Sequence, residues 1–254
     1  MKVTILGSGT CVPSLKRSSS SLILQINNSL LLFDLGVGTM RRLLEAGFTI
    51  AQVSHIFLSH LHPDHTGEFV SFLFATKYPP AYQRRSHFHL IGARGLKNFY
   101  DGLLKVYGHW IALEPGLMNL TELENSGHDQ YVGEAFTVDT LPMAHIESSI
   151  GFRITATDGP TVAFTGDTDV CENAVALARE AELFICESAL PDAMKVDGHL
   201  TPSLAGRIAT EAKVKRLLLT HFYPECDAVD IEAECRKTYD GPLLLAHDLM
   251  TVVV

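Results

Sequence analysis

The segment Leu58–Gly67 reads L-S-H-L-H-P-D-H-T-G and places His60, His62, Asp64 and His65 within six residues, directly behind the apolar run Val53–Leu58. Imidazole and carboxylate together are the donors that borderline divalent metals such as zinc, manganese and iron take. On a loop leaving a strand, alternate residues converge on one ion while Asp64 and His65 turn toward a second. A histidine-rich surface loop is the plainer alternative, but the strand-end position and the H-x-H-x-D-H order argue against it. Three further donor types stand behind apolar runs: His145 after T-L-P-M-A, Asp167 in A-F-T-G-D-T, and His221 in L-L-L-T-H. Each alone reads as an ordinary loop residue. With the first segment they make seven, too many for one tetrahedral ion and suited to two ions with Asp167 bridging and a hydroxide completing the shells.

The rest of the chain supplies strands and helices in alternation. Short β-rich runs open it at Val3–Leu6, Ser21–Ile26, Ser29–Asp34 and Val53–Leu58, each bounded by Gly, Asn or Ser. Thr39–Ala46 carries Met40, Leu43 and Leu44 at helical spacing and stops at Gly47, which predicts a helix. Further helices are expected at 67–78, 95–107, 174–181 and 202–212, and further strands at 88–91, 151–156, 161–165, 183–187, 216–220 and 242–246. Strands at both ends with helices between imply a layered α/β protein, and the second half echoes the first, which favours one domain over 1–254. With 254 residues, 46% of them hydrophobic, the chain is long enough to bury roughly 70–75% of its unfolded surface without disulfides.

The series H-x-H-x-D-H, His, G-D-T and strand-end T-H resembles that of the metallo-β-lactamase fold over nearly the whole chain, which implies a four-layer αββα sandwich. Within that fold the sequence looks like the ribonuclease Z (tRNase Z) branch of zinc phosphodiesterases. The opening L-G-S-G-T-C-V-P-S-L-K-R-S-S-S-S, the segment G-H-L-T-P-S-L-A-G at 198–206 and L-T-H-F-Y-P at 219–224 carry that likeness. The resemblance implies His60, His62 and His145 on one metal, Asp64, His65 and His221 on the other, and Asp167 bridging. It also matches Glu187, in L-F-I-C-E-S-A-L, and His199, in the H-x-T loop, to the branch's catalytic carboxylate and histidine. The chemistry agrees independently: a phosphodiester leaving as an alkoxide needs a proton, and a carboxylate behind an imidazole holds that proton near neutral pH. The plainer readings are a surface ion pair for Glu187 and, for His199, a loop residue before a helix with Thr201 as N-cap and Pro202 at N1. Asp64 is expected to act as both ligand and proton acceptor. The cofactors expected are two divalent ions, zinc first, with manganese or iron as alternatives.

The chain departs from the ribonuclease Z pattern in one place. That branch carries a long tRNA-gripping arm between the third-motif histidine and the bridging aspartate, and here His145 and Asp167 are only 22 positions apart. The net charge of -9 likewise argues against a long polyanion track. The substrate expected is a small or flexible phosphodiester, RNA among them. A lactone, thioester or sulfate-ester hydrolase and a non-catalytic metal-binding module are the competing functions. K-Y-P-P-A-Y-Q-R-R-S at 77–86 reads as a substrate lid, a dimer contact or a solvated turn; the family suggests a homodimer. Gly7–Pro13, with Ser8 and Thr10, reads as a loop lining the site. His87 and His89 read as a surface face, and the segment around His109 and Trp110 as a packed loop. Five scattered cysteines without a C-x-x-C pair, no leader-like start and no membrane-length apolar run predict a reducing, cytoplasmic setting with no membrane contact.

Overall fold

Strand after strand in this sequence is a nearly unbroken apolar run, such as S-L-L-L-F, V-S-H-I-F-L and L-F-I-C-E, which is how strands covered on both faces read. The computed structural model describes every residue except Asp158, and Tyr82 by its backbone alone. Among the described residues the strands are β1 Lys2–Gly7, β2 Ser21–Ile26, β3 Ser29–Phe33, β4 Val53–Leu58, β5 Phe88–Ala93, β6 Met118–Leu123, β7 Asp129–Val132, β8 Phe136–Pro142, β9 Ile150–Ala156, β10 Thr161–Phe164, β11 Leu183–Glu187, β12 Leu217–Thr220, β13 Leu243–Leu245 and β14 Thr251–Val253. They form two seven-stranded sheets, ordered β14-β1-β2-β3-β4-β5-β6 and β13-β12-β11-β10-β9-β8-β7.

Both sheets repeat one scheme. The first has three antiparallel pairings, β14-β1-β2-β3, and then three parallel ones through β6. The second has three antiparallel pairings, β7-β8-β9-β10, and then three parallel ones through β13. The echo between the halves is therefore a repeat of sheet topology. Parallel pairings demand crossovers, and helices supply them. The helices are α1 Thr39–Glu45, α2 Pro63–Thr66, α3 Phe69–Lys77, α4 Leu96–Tyr107, α5 Glu172–Ala178, α6 Pro202–Glu211 and α7 Ile231–Arg236. α1, α3 and α4 lie with the first sheet, α5 and α6 against the second, and α7 packs on α6. The result is the four-layer αββα sandwich of the metallo-β-lactamase fold.

The inner core is aromatic. Phe33 and Phe57 stack at 4.9 Å on one sheet and meet Phe152 of the other edge-on at 5.3 and 5.7 Å. All three rings are fully buried, each adding about 1.5–3 kcal/mol of burial and the contacts a further ~1 kcal/mol. This packing joins the ends of β3 and β4 to β9 of the other sheet, beside the C-terminal strand ends where an α/β fold builds its sites.

Some elements differ from expectation. The helix expected over 67–78 is α3, preceded by the separate turn α2 that the sequence reading did not contain; between them Glu68 turns back to accept from the N–H groups of Gly38 and Met40. Strands β6, β7, β8 and β14 and helix α7 have no counterpart in the sequence reading, because β6, β7 and much of β8 alternate half-exposed residues without a continuous apolar signal. The segment 77–86 is the turn between α3 and β5, exposed at Pro79, Pro80, Ala81, Arg85 and Ser86, but one of its side chains is structural. Arg84, 4% exposed, donates to the carbonyls of Ile50, Val53, Ser86 and His87 and so clamps the start of β4, the end remote from the histidine cluster. His89 does not lie on a surface face: it stacks on His55 at 4.7 Å, and both rings contact Tyr131 of the opposite sheet. His87 is exposed. Trp110 is not packed away either, being 51% exposed beside Phe74 and Tyr78.

Candidate active site

Five strand ends deliver the site. His60 follows β4, His145 follows β8, Asp167 follows β10, Glu187 closes β11 and His221 follows β12. Pro63 at the first position of α2 starts a single helical turn behind His62, so Asp64 and His65 project from that turn beside His60 and His62. His221 (φ 62°) lies in the left-handed region, uncommon for a residue with a Cβ. Its ring stands 5.2 Å from that of His65. Gly166, also at positive φ, is required where it stands: a Cβ there would come within 2.6 Å of the Ser59 Cβ, so only glycine lets the G-D-T turn pass beside the β4 end.

The seven donors gather in two groups. His60, His62, His145 and Asp167 offer atoms within 4.8 Å of one another, as do Asp64, His65 and His221; a third grouping, Asp167, His199 and His221, overlaps both. The Asp167 carboxylate divides between the first two. Its Oδ1 lies 3.2 Å from His65 Nε2 and 3.4 Å from His221 Nε2, while its Oδ2 lies 3.7 Å from His60 Nε2 and 3.9 Å from His145 Nε2.

Three of the ring nitrogens facing away from this centre are held, while His221 Nδ1 is buried without a partner among the described residues. His65 Nδ1 lies 2.7 Å from Asp34 Oδ2, His60 Nδ1 3.1 Å from Ser59 Oγ, and His145 Nδ1 2.9 Å from the Gly198 carbonyl. Such partners keep a proton on the outer nitrogen and a lone pair on the inner one, the arrangement of metal-binding histidines. The inner atoms lack protein partners that would satisfy them: His60 Nε2 and Asp167 Oδ1 are buried without a hydrogen bond, and His65 Nε2 and His221 Nε2 face each other at 3.3 Å. Burial, reinforced by neighbouring histidines, holds His60 neutral down to about 2. Burial opposes ionisation of Asp64, yet the hydrogen bond and charge of His221 and the charge of His65 prevail and bring it to about 2.

Charge makes the same demand. Asp34, Asp167 and Glu187 are buried and Asp64 is 12% exposed, and among the described residues their ionic partners are imidazoles, not Lys or Arg. A buried cluster of carboxylates is stable only with compensating positive charge. A His60 ring held neutral, orphaned donor atoms and buried carboxylates without a Lys or Arg partner fit divalent cations.

Glu187 does not pair with a surface cation. Its side chain is 1% exposed, its Oε1 lies 3.0 Å from His199 Nδ1, and it accepts from the N–H groups of Thr168, Ala189 and Leu200. Thr201 occupies the N-cap position of α6 without a side-chain cap, and Pro202 is N1. The loop after β1 runs beside the end of β12, the Phe222 N–H donating to the Ser8 carbonyl at 2.9 Å, but its hydroxyls are not open to solvent: Ser8 is buried and held by Asp248 and Arg17, and Thr10 is 3% exposed. Asp34 is the site residue the sequence reading passed over. Its signal was the one used for the others, a carboxylate directly behind the apolar run S-L-L-L-F.

A family model described as anti-Pycsar protein Apyc1 matches residues 1–236. A protein of Mycobacterium tuberculosis (strain H37Rv), named only as uncharacterized, is 29% identical over 259 aligned residues, covering 96% of this chain and 88% of that one. Ribonuclease BN of Cronobacter sakazakii is 27% identical over 313 positions, covering the whole of both chains. Among solved structures, human tRNase Z, short form, superposes with a TM-score of 0.80 at 25% identity over 100% of this chain and 99% of that one. The metallo-β-lactamase fold protein YhfI of Bacillus subtilis superposes with a TM-score of 0.84 at 21% identity, over 99% of each chain. Matched over nearly its whole length, the chain belongs to the family described as anti-Pycsar protein Apyc1.

Proposed function

We propose that this metal-dependent hydrolase is a dinuclear phosphodiesterase acting on small or flexible diesters. His60, His62 and His145 would hold one ion, Asp64, His65 and His221 the other, with Asp167 between them. The observation that carries this is the split of Asp167, with Oδ1 toward His65 and His221 and Oδ2 toward His60 and His145, beside the buried Glu187–His199 pair. When bound, such ions supply Lewis acidity and lower the pKa of a water to roughly 7.

The chain's own residues do the rest. Asp64, held ionised, accepts the proton that the attacking water gives up. His199 delivers a proton to the departing oxygen. Burial works against charge on His199, but the Glu187 hydrogen bond and carboxylate overcome it and raise its pKa, so the proton is present near neutral pH.

The size limit on the substrate is supported by the strand pattern and by alignment length. Among the described residues, the stretch from His145 to Asp167 is a hairpin of β9 and β10 with no room for an arm. The ribonuclease BN alignment runs over 313 positions against 254 residues here, whereas the mycobacterial one runs over 259. Zinc is the first metal on this reading, with manganese or iron as alternatives. One domain over 1–254 is supported by a core shared between the sheets and by β14 closing onto β1. A homodimer is part of the reading, supported by the exposed aromatic patch of Phe74 and Trp110; a monomer in sedimentation would remove it. Five unpaired thiols fit a reducing cytoplasm, and no helix among the described residues is long and apolar enough to cross a membrane.

The test is hydrolysis of bis(p-nitrophenyl) phosphate, a cyclic nucleotide and an unprocessed tRNA by protein of measured metal content. Cleavage of small diesters without tRNA processing is expected. Efficient tRNA cleavage would overturn the size limit, and silence on all three with turnover of lactones or thioesters would overturn the phosphodiesterase reading.

A further inference from the structure

His199 stands on the connection between the 3-10 turn Asp192–Met194 and α6, and that connection is held at two points. One is Glu187, which meets the His199 ring and the Leu200 N–H. The other is Asp169, two residues beyond Asp167, whose hydrogen bonds among the described residues leave the metal donors alone. Its Oδ1 accepts from the Val170 N–H at 2.7 Å; its Oδ2 accepts from Lys195 Nζ at 2.8 Å and from the Gly198 N–H at 3.0 Å. Its own N–H donates to the Ala144 carbonyl at 2.8 Å. Gly198 joins these contacts to the chemistry, because its carbonyl meets His145 Nδ1 at 2.9 Å and the next residue is His199. Gly198 has φ +82°, and a Cβ there would stand 3.0 Å from His145 Nδ1, so the backbone is seated directly against that ring. Lys195 closes the arrangement with a second bond to the Val196 carbonyl at 2.6 Å.

We propose that Asp169, locked by Lys195, is a positioning residue that holds the 195–198 segment so that His199 meets the leaving oxygen. The proposal rests on the phosphodiesterase reading above and extends it to two residues outside the metal and acid–base set. In the step concerned, a water oxygen forms a bond to phosphorus and passes one proton to Asp64. The bond from phosphorus to the leaving oxygen breaks with its electron pair on that oxygen, which takes the proton from His199 Nε2. A p-nitrophenolate leaves as a stable anion without that proton, whereas a ribose alkoxide does not. Loosening the loop therefore penalises the two substrates unequally, which a general loss of structure would not do.

The experiment compares kcat of the metal-loaded protein on bis(p-nitrophenyl) phosphate and on a 3′,5′-cyclic nucleotide for wild type, Asp169→Asn, Lys195→Met and, as a control, Asp192→Asn. Asp192 accepts from Ser203 and Lys237 on the other side of the same connection. Expected is a fall of about 30-fold on the cyclic nucleotide and about threefold on the activated diester for Asp169→Asn, within the 10²–10⁴ range of general acid catalysis. Lys195→Met should shift the ratio the same way by about 10-fold, and Asp192→Asn should leave the ratio at the wild-type value. Deuterium uptake of residues 195–200 in the metal-free protein should rise in Asp169→Asn and Lys195→Met, a readout independent of turnover. Equal losses on both substrates, unchanged uptake, or a wild type that cleaves only the activated diester would each overturn the positioning role while leaving the phosphodiesterase reading in place. A wild type inert on both diesters would overturn the two together.

Discussion

His199 Nδ1 lies 3.0 Å from Oε1 of Glu187, a carboxylate 1% exposed that also accepts from three backbone N–H groups. Burial raises the Glu187 carboxyl, and Glu187 in turn raises His199 against the effect of burial, so both shifts favour keeping a proton on the pair. Glu187→Gln removes the charge that keeps the proton on His199. It should lower kcat on alkoxide-leaving diesters by about 100-fold with metal content unchanged. His199→Ala should likewise keep metal and lose rate, whereas Asp64→Ala loses nearly all turnover. Metal analysis beside steady-state kinetics decides it, and equal metal loss in Asp64→Ala and His199→Ala would refute the role given to His199.

Asp34 never faces the centre, yet its carboxylate meets His65 Nδ1 at 2.7 Å and accepts from the N–H and hydroxyl of Ser59 at 2.8 and 2.9 Å. It sits at φ 59°, a conformation asparagine also tolerates, so Asp34→Asn tests the carboxylate with little backbone disturbance. Metal affinity in a chelator competition should weaken by about 10–100-fold. An affinity equal to wild type would show that Ser59 alone orients the ligand rings.

Removing metal should expose the mutual repulsion of Asp34, Asp64, Asp167 and Glu187. Stripping the protein with a chelator is expected to lower Tm, and zinc at about 100 times its Kd should restore about 2.7 kcal/mol. Manganese and iron should restore it in proportion to their own affinities. A Tm indifferent to chelation, by calorimetry on protein of verified metal content, would contradict the charge argument.

Burial, with the charges of His89 and His87 in support, lowers His55 to about 4 from an ordinary 6.5. The unfolded chain therefore binds the extra proton first as pH falls. The folded state loses stability from about pH 6.5 down to about 4 and no further below that. Allowing for solvent screening of a partly exposed ring, the loss is about 1–2 kcal/mol. His55→Phe, which keeps a ring against Tyr131 and Phe136, should flatten that part of the urea-unfolding profile relative to wild type, both measured metal-free. Parallel profiles for the two proteins would rule out His55 as the source.

What the sequence determined by itself was the chemistry and the order of parts. His60, His62, Asp64 and His65 are local, and a polar donor behind an apolar run marks a strand end wherever it falls; His145, Asp167 and His221 were read that way, and Glu187 and His199 from the resemblance. The four-layer fold followed from strand–helix alternation together with the motif resemblance. Tertiary structure decided which distant groups meet. Asp34 carries the same strand-end signal, but only the pairing of β3 with β4 sets it behind His65. Asp169 lies behind β10 and Lys195 and Gly198 on the connection before α6, two segments whose mutual hydrogen bonds exist only once the second sheet has formed. Ser8 read as part of a loop lining the site, and only the fold buries its hydroxyl against Asp248 and Arg17; Arg84 read as part of a solvated turn because its partners are backbone carbonyls, which leave no mark in a sequence. Spacing along a chain reports local geometry, whereas long-range pairing depends on the sheet register and packing of the whole fold.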